Sequence, residues 1–387
     1  MKSGYDISGN FRDLYRLAED LKIPERRIID FSTASNPLGI SKKIKADLRK
    51  HLKYLHSYPD EEAKRLRNRL ARHNAIEPET ILCGNGSTAL VYLLARALRP
   101  LKVIIPVPTF SIYERACYTC CDSEIIYCRL KHENNFDIDP GEFIKTMEEN
   151  LLVEERQNVN FPVSGSPPFP SFNMVFLCNP NNPTGRLLKK DKIKEISEAA
   201  GRLGCYLVVD EAFIDFCPAD SVIKDVAEST KLIVLRSMSP FYALPGLRFG
   251  YGVFPRQLAA GLKEYKEPWT VNGLAQRAAM AALKDEAYRR ETFRAIQDEK
   301  KYLEKNFRKM GIEFLTSAAN FYLVKTDNAG EICRQLQKKG ILLSGGAHFS
   351  GLDSAHIRIA VKSHRENSIL IKELKKIFGP GDGQHAV

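Results

Sequence analysis

The sequence predicts an α/β fold: a large part built on a mostly parallel sheet, followed by a smaller α/β part. Three observations carry that expectation. Short, nearly continuous apolar runs recur along the chain, which is how strands covered on both faces read. Between them lie segments with apolar residues at helical spacing, as a parallel sheet with crossover helices requires. After Arg256 the texture changes to a long helical stretch, free of proline from Leu274 to Met310, and then a mixed segment. At 387 residues the chain has room for one large unit and one smaller one.

The elements follow in order. Phe11, Leu14, Leu17, Ala18 and Leu21 share a helical face. "RIIDFSTASNPLGI" reads as a short strand closed by Asn-Pro and Gly turn chemistry. "STALVYLLARAL" reads as a buried helix. "KVIIPV", "NMVFLC", "CYLVVDEAF" and "KLIVLRSM" read as strands, and Ile193, Ile196, Ala199, Ala200 and Leu203 mark one face of a helix among them. "NVNFPVSGSPPFPSF" is rich in Pro and Ser and reads as a surface loop. "NFYLVKT" and "HIRIAV" read as strands before a terminal helix. The expected division is a segment 1–40 packing with the smaller part, a large ligand-binding domain 41–275, and a long helix with the small domain at 276–387.

The net charge of +11 suits an anionic ligand such as a phosphate or carboxylate. The basic residues are interspersed with acids, as in "KKDKIKEISEAAGR", and read as solvated helix faces. No nucleic-acid partner is expected, because no basic stripe with interleaved aromatics occurs. No apolar run approaches the ~20 residues of a membrane span. The opening residues are too polar for a secretory signal, so a cytoplasmic protein with reduced thiols is expected. Cys117, Cys120, Cys121 and Cys128 contain a Cys-x-x-Cys pair, but no second pair lies nearby and no metal site is expected.

Chemistry gathers where the apolar runs end. "CGNGSTAL" puts glycines before a helix start, where backbone N–H groups can take a phosphate. "NPNNPTG" makes a rigid turn able to present an amide. Asp210 closes an apolar strand, where a carboxylate is costly without a partner such as a protonated ring nitrogen. In "RSMSPFYALPGLRFGYG", Ser237, Ser239 and Arg248 add phosphate-capable groups.

In this order and spacing, "NPNNPTG", "DEAF" and "YALPGLRFGY" resemble the class I/II aminotransferases, fold-type I enzymes that bind pyridoxal 5′-phosphate (PLP). "DFSTASNPLG", "HSYPD", "PVPTFSIYERA", "VDEAFIDF" and "EPWTVNGLAQ" look most like the threonine-phosphate decarboxylases of cobalamin biosynthesis, with histidinol-phosphate aminotransferases as near relatives. The resemblance implies roles. Gly86, Ser87, Thr88, Ser237, Ser239 and Arg248 would hold the PLP phosphate, with Tyr58 reaching the other subunit's cofactor in a homodimer. Phe110 would stack on the ring, Asn182 would bond its hydroxyl, and Asp210 would pair with its nitrogen. Arg358 would bind a substrate carboxylate, and Asn36 and Asn272 would line the substrate pocket. The substrate implied is a small phosphorylated amino acid, O-phosphothreonine or phosphoserine.

The pattern breaks at one decisive place. The family's lysine holds the cofactor covalently and moves a proton at the substrate. Pro240 stands there, and no lysine lies between Lys231 and Lys263. Ala89 stands where the family usually has Glu, and Ser344 and Gly345 replace an Arg-Asp pair. Three readings stay open: a decarboxylase, a histidinol-phosphate-type aminotransferase, and a catalytically silent homologue that binds PLP, non-covalently, or a partner.

Overall fold

The apolar runs assemble into a seven-stranded sheet in a computed structural model that describes residues 14–151 and 172–378. The strand order is Ile81–Gly84, Gly250–Val253, Leu232–Ser237, Tyr206–Asp210, Met174–Cys178, Lys102–Val107 and Glu124–Arg129. All neighbours run parallel except Gly250–Val253, which is antiparallel to both its partners. Phe11 and nearly all of the Pro/Ser-rich stretch lie outside the described residues.

Alternation along the strands splits the core into two layers. Val175, Leu177, Leu207, Val209 and Val234 face one cluster, which holds the helix Lys190–Arg202 through Ile193, Ile196, Ala199 and Ala200. Met174, Phe176, Val208, Ile233 and Leu235 face the other, which holds the helix Ser87–Leu98 through Leu90, Leu94 and Leu98. Each fully buried Leu or Ile contributes roughly 1.5–3 kcal/mol of hydrophobic stabilisation. No helix among the described residues is long and apolar enough to cross a membrane.

The stretch expected as one long helix is two, Gly273–Ala282 and Glu286–Lys309. Asp285 causes the break. Its side chain accepts from the Tyr288 amide at 3.4 Å and pairs with Lys43 at 3.1 Å, so it caps a new helix instead of continuing the old one. Beyond it, Ser344–Gly345, His356–Ala360, Phe321–Lys325 and Glu313–Phe314 form an antiparallel sheet over a separate apolar cluster. Near the N-terminus, Ile29–Asp30 pairs in parallel with Ile341–Leu342, which carries residues 31–36 toward the end of the large sheet.

The turn after Met174–Cys178 locks onto the segment that leads into Phe321–Lys325. The Gly185 carbonyl accepts from the Ala318 amide at 2.8 Å. Gly185 has φ +71°, and a β-carbon there would overlap the Ser317 hydroxyl. Gly185→Ala should therefore lower the urea unfolding midpoint, at a cost of about 1–3 kcal/mol. Gly201→Ala, in a helix with open space around it, should leave the midpoint unchanged or raise it.

Candidate active site

The carboxyl ends of parallel strands are where loops from neighbouring elements converge. Here the turn 179–185, Asp210 with the residues after it, and the segment 237–248 all leave those ends. Asp210 is 3% exposed and is the last residue of its strand. Its Oδ2 accepts from the Tyr113 hydroxyl at 2.8 Å and its Oδ1 from the Ala212 amide at 3.0 Å. Burial raises this carboxyl to about 6, against those two bonds, which pull it down. No cation is among the causes of that shift, so the charge is only partly compensated. Glu211 next to it is handled differently: it is paired with the buried Arg236 at 3.2 Å and with Ser221 at 2.7 Å.

A second group of atoms lies around Gly86. The helix Ser87–Leu98 begins there, and the first N–H groups of a helix have no carbonyl within it. Gly86 has φ +78°, and a β-carbon would overlap the Arg248 guanidinium. A β-carbon on Gly250 would overlap the Ser87 amide. Arg248 itself holds a left-handed φ of 55°, a strain of about 1–2 kcal/mol for a residue with a β-carbon. The Ser237 hydroxyl accepts from the Ser239 amide at 3.3 Å, and the Ser239 hydroxyl is buried with no partner among the described residues. Guanidinium, helix N-terminus and an orphaned hydroxyl form a donor set suited to a phosphate dianion, so the residues fit that part of PLP.

Arg358 is the third feature. It is 6% exposed, lies 5.5 Å from both the Phe321 and Phe349 rings, and has a buried Nε with no partner among the described residues. Its described hydrogen-bond partners are neutral: Asn182 Oδ1 at 2.5 Å and the Ser32 carbonyl. Burial pulls the guanidinium down to about 10, with Asp30 opposing. A buried cation with spare donors is suited to a carboxylate. Asn182 spends its oxygen on Arg358, which leaves the side-chain nitrogen to donate. Ser344 lies directly across the sheet from Arg358, in register with it.

Pro240 sits in the first turn of the short helix Ser239–Tyr242. Proline costs little there, because first-turn amides have no partner in the helix. Its carbonyl accepts from the Asn36 amide at 2.9 Å. Among the other lysines, Lys231 precedes the strand Leu232–Ser237 at its amino end, away from the site. Lys300 donates to the carbonyls of Ser317 and Ala319, and burial lowers its pKa.

The remaining expected site residues are placed as follows. Phe110 is half-buried, edge-on to Tyr113 at 6.0 Å. Thr88 lies in the first turn of its helix, half-buried. Tyr58 is 84% exposed and packs on Trp269 at 5.2 Å, beside exposed Leu52 and Leu55. Asn36 has its side chain consumed internally: Nδ2 donates to the Phe241 carbonyl at 2.7 Å and to Thr292 at 2.8 Å, and Oδ1 accepts from Leu38 at 3.0 Å. Asn272 caps the helix Gly273–Ala282, accepting from Ala275 at 2.8 Å. Both serve the scaffold in this structure. Cys117, Cys120 and Cys121 pack on one layer of the sheet and Cys128 on the other, so the four thiols do not converge. Sequence reading missed Tyr113, whose link to Asp210 spans 97 residues and leaves no local signal.

The family model for aminotransferase class I and II matches residues 26–374. A threonine-phosphate decarboxylase of Salmonella typhimurium is 30% identical, over 96% of this chain and 96% of that one. A histidinol-phosphate aminotransferase of Carboxydothermus hydrogenoformans is 35% identical, over 89% of each chain. In fold, the chain resembles the solved histidinol-phosphate aminotransferase of Sinorhizobium meliloti in complex with PLP, with a TM-score of 0.80 at 19% identity, covering 98% of this chain and 99% of that one.

The scaffold roles of the two asparagines are measurable. Asn36→Ala strands the Phe241 carbonyl and the Thr292 hydroxyl and should cost about 2–3 kcal/mol in urea unfolding. Asn272→Ala removes a helix cap and should cost about 1 kcal/mol.

Proposed function

The chain belongs to the aminotransferase class I and II family, and from that premise we propose that it is a threonine-phosphate decarboxylase-like protein that binds PLP non-covalently and has lost efficient turnover by the family route. Pro240 carries this reading. It occupies the position where the family's lysine is expected, in a helix turn that accepts proline without strain. A proline offers no amine, neither to hold a cofactor nor to move a proton. Losing one positioned acid–base group costs roughly 10²–10⁴ in rate.

What remains suits the cofactor. Gly86, Ser87, Thr88, Ser237, Ser239 and Arg248 would hold its phosphate. Asp210 would receive the ring nitrogen, Phe110 its face and Asn182 its hydroxyl. When bound, PLP supplies an electron sink for charge left at a substrate carbon. Arg358, being buried, would orient a substrate carboxylate where its charge acts with little screening. The positive net charge fits a phosphorylated substrate, and the likeness to threonine-phosphate decarboxylases points to O-phosphothreonine or phosphoserine. The exposed Tyr58, Leu52, Leu55 and Trp269 support a homodimer in which Tyr58 serves the neighbouring site. The likeness to a histidinol-phosphate aminotransferase supports a second reading, an aminotransferase ancestry, and Pro240 weighs on it equally.

The test is carbon dioxide release from O-phosphothreonine with added PLP, comparing the natural chain with Pro240→Lys. The expected result is release by the lysine variant and little or none by the natural chain. Ready release by the natural chain would overturn the loss of turnover. Silence from both, with both folded and binding PLP, would count against the decarboxylase assignment and favour a different ligand or a binding role.

A further inference from the structure

Tyr113 opens the helix Ile112–Cys120 and is wholly buried. Its ring stacks on Phe176 at 4.8 Å and 12°, and Phe110 stands edge-on against it at 88°. Its hydroxyl donates to Asp210 Oδ2 at 2.8 Å, across 97 residues of sequence. With Ala212 holding the other oxygen, the plane of the carboxylate is set at both ends.

We infer that Tyr113 is a positioning residue for Asp210: its hydroxyl pins one carboxylate oxygen while its ring supports the edge of Phe110, so one side chain sets both the charge and the stacking face that a cationic aromatic ring would meet. This rests on the PLP reading above. The Tyr113 proton stays in place, because burial and the Asp210 charge hold its pKa well above the ordinary phenol value. The phenol therefore only donates, and only a charged or unprotonated Oδ2 can accept. Cys178, on the neighbouring strand, also faces this pair, and burial raises its thiol to about 12, so it stays neutral. Leu235, on the other neighbouring strand, is apolar.

The sign of the pH effect follows. Asp210 is charged above about 6 and neutral below it. Binding of a ring with a protonated nitrogen should weaken as pH falls through that value. Tyr113 holds the carboxyl down, so removing its hydroxyl moves the weakening to higher pH.

The experiment is PLP affinity, read by quenching of intrinsic fluorescence, across the acid-to-neutral range for the natural chain, Tyr113→Phe, Asp210→Ala and the double variant. Tyr113→Phe keeps the ring and its packing, so thermal stability should change little. Its affinity at neutral pH should fall about tenfold or more, as for one lost hydrogen bond to a charged group, with the acid fall-off displaced upward. In the Asp210→Ala background the same change should have no further effect. Equal affinity with an unmoved pH profile would overturn the inference, as would an equal loss in the Asp210→Ala background, which would mean a packing role. Failure of the natural chain itself to bind PLP would overturn the cofactor reading and this inference with it.

Discussion

A carboxylate held out of water, with no cation beside it among the described residues, is the constraint on which this site depends. Asp210 ends a strand whose every residue is buried. Two hydrogen bonds stabilise its charge and desolvation opposes it. Such a group is a standing cost, and a ligand bearing positive charge removes it. Arg358 has the complementary problem, a buried cation with neutral partners. The two charges do not satisfy each other. Asp210 is held by Tyr113 and Ala212, and Arg358 by Asn182 and Ser32. A molecule with a cationic ring and an anionic group would relieve both.

A proline at position 240 sits lightly on this arrangement. Pro240 occupies a helix turn that tolerates it, and its carbonyl still anchors Asn36. The phosphate-suited donors around Gly86 are built from backbone, Ser239 and Arg248, none of which needs an amine at position 240. On the proposed reading, binding and bond-making chemistry are separable in this chain. Ser344 lies opposite Arg358 in the small sheet.

Much of the fold was legible because apolar runs and helical periodicity are local signals. The strands at 102–107, 174–178, 206–210 and 232–237 each stand where a run predicts them. Ile81–Gly84 and Gly250–Val253 were not read as strands, since they are short and glycine-bearing and are strands only by pairing with each other and with Leu232–Ser237. The helix break at Asp285 was missed because its cause is a side chain competing for a backbone amide. The site divides similarly. Asp210, Asn182 and Arg358 are visible as polar residues in apolar surroundings or from the family likeness, and the structure brings Asn182 and Arg358 into contact. Tyr113 became visible only through a contact far away in sequence. Asn36 and Asn272 show the converse, since residue type alone cannot tell a pocket amide from one spent on holding a helix.

The central claim is that this chain holds PLP without a covalent bond. The most direct measurement is the intact mass of the natural chain after borohydride reduction in the presence of saturating PLP, beside its affinity for PLP under native conditions. The expected result is measurable affinity with an unmodified mass. A stoichiometric increase of one reduced cofactor, mapped to a lysine elsewhere in the chain, would contradict it.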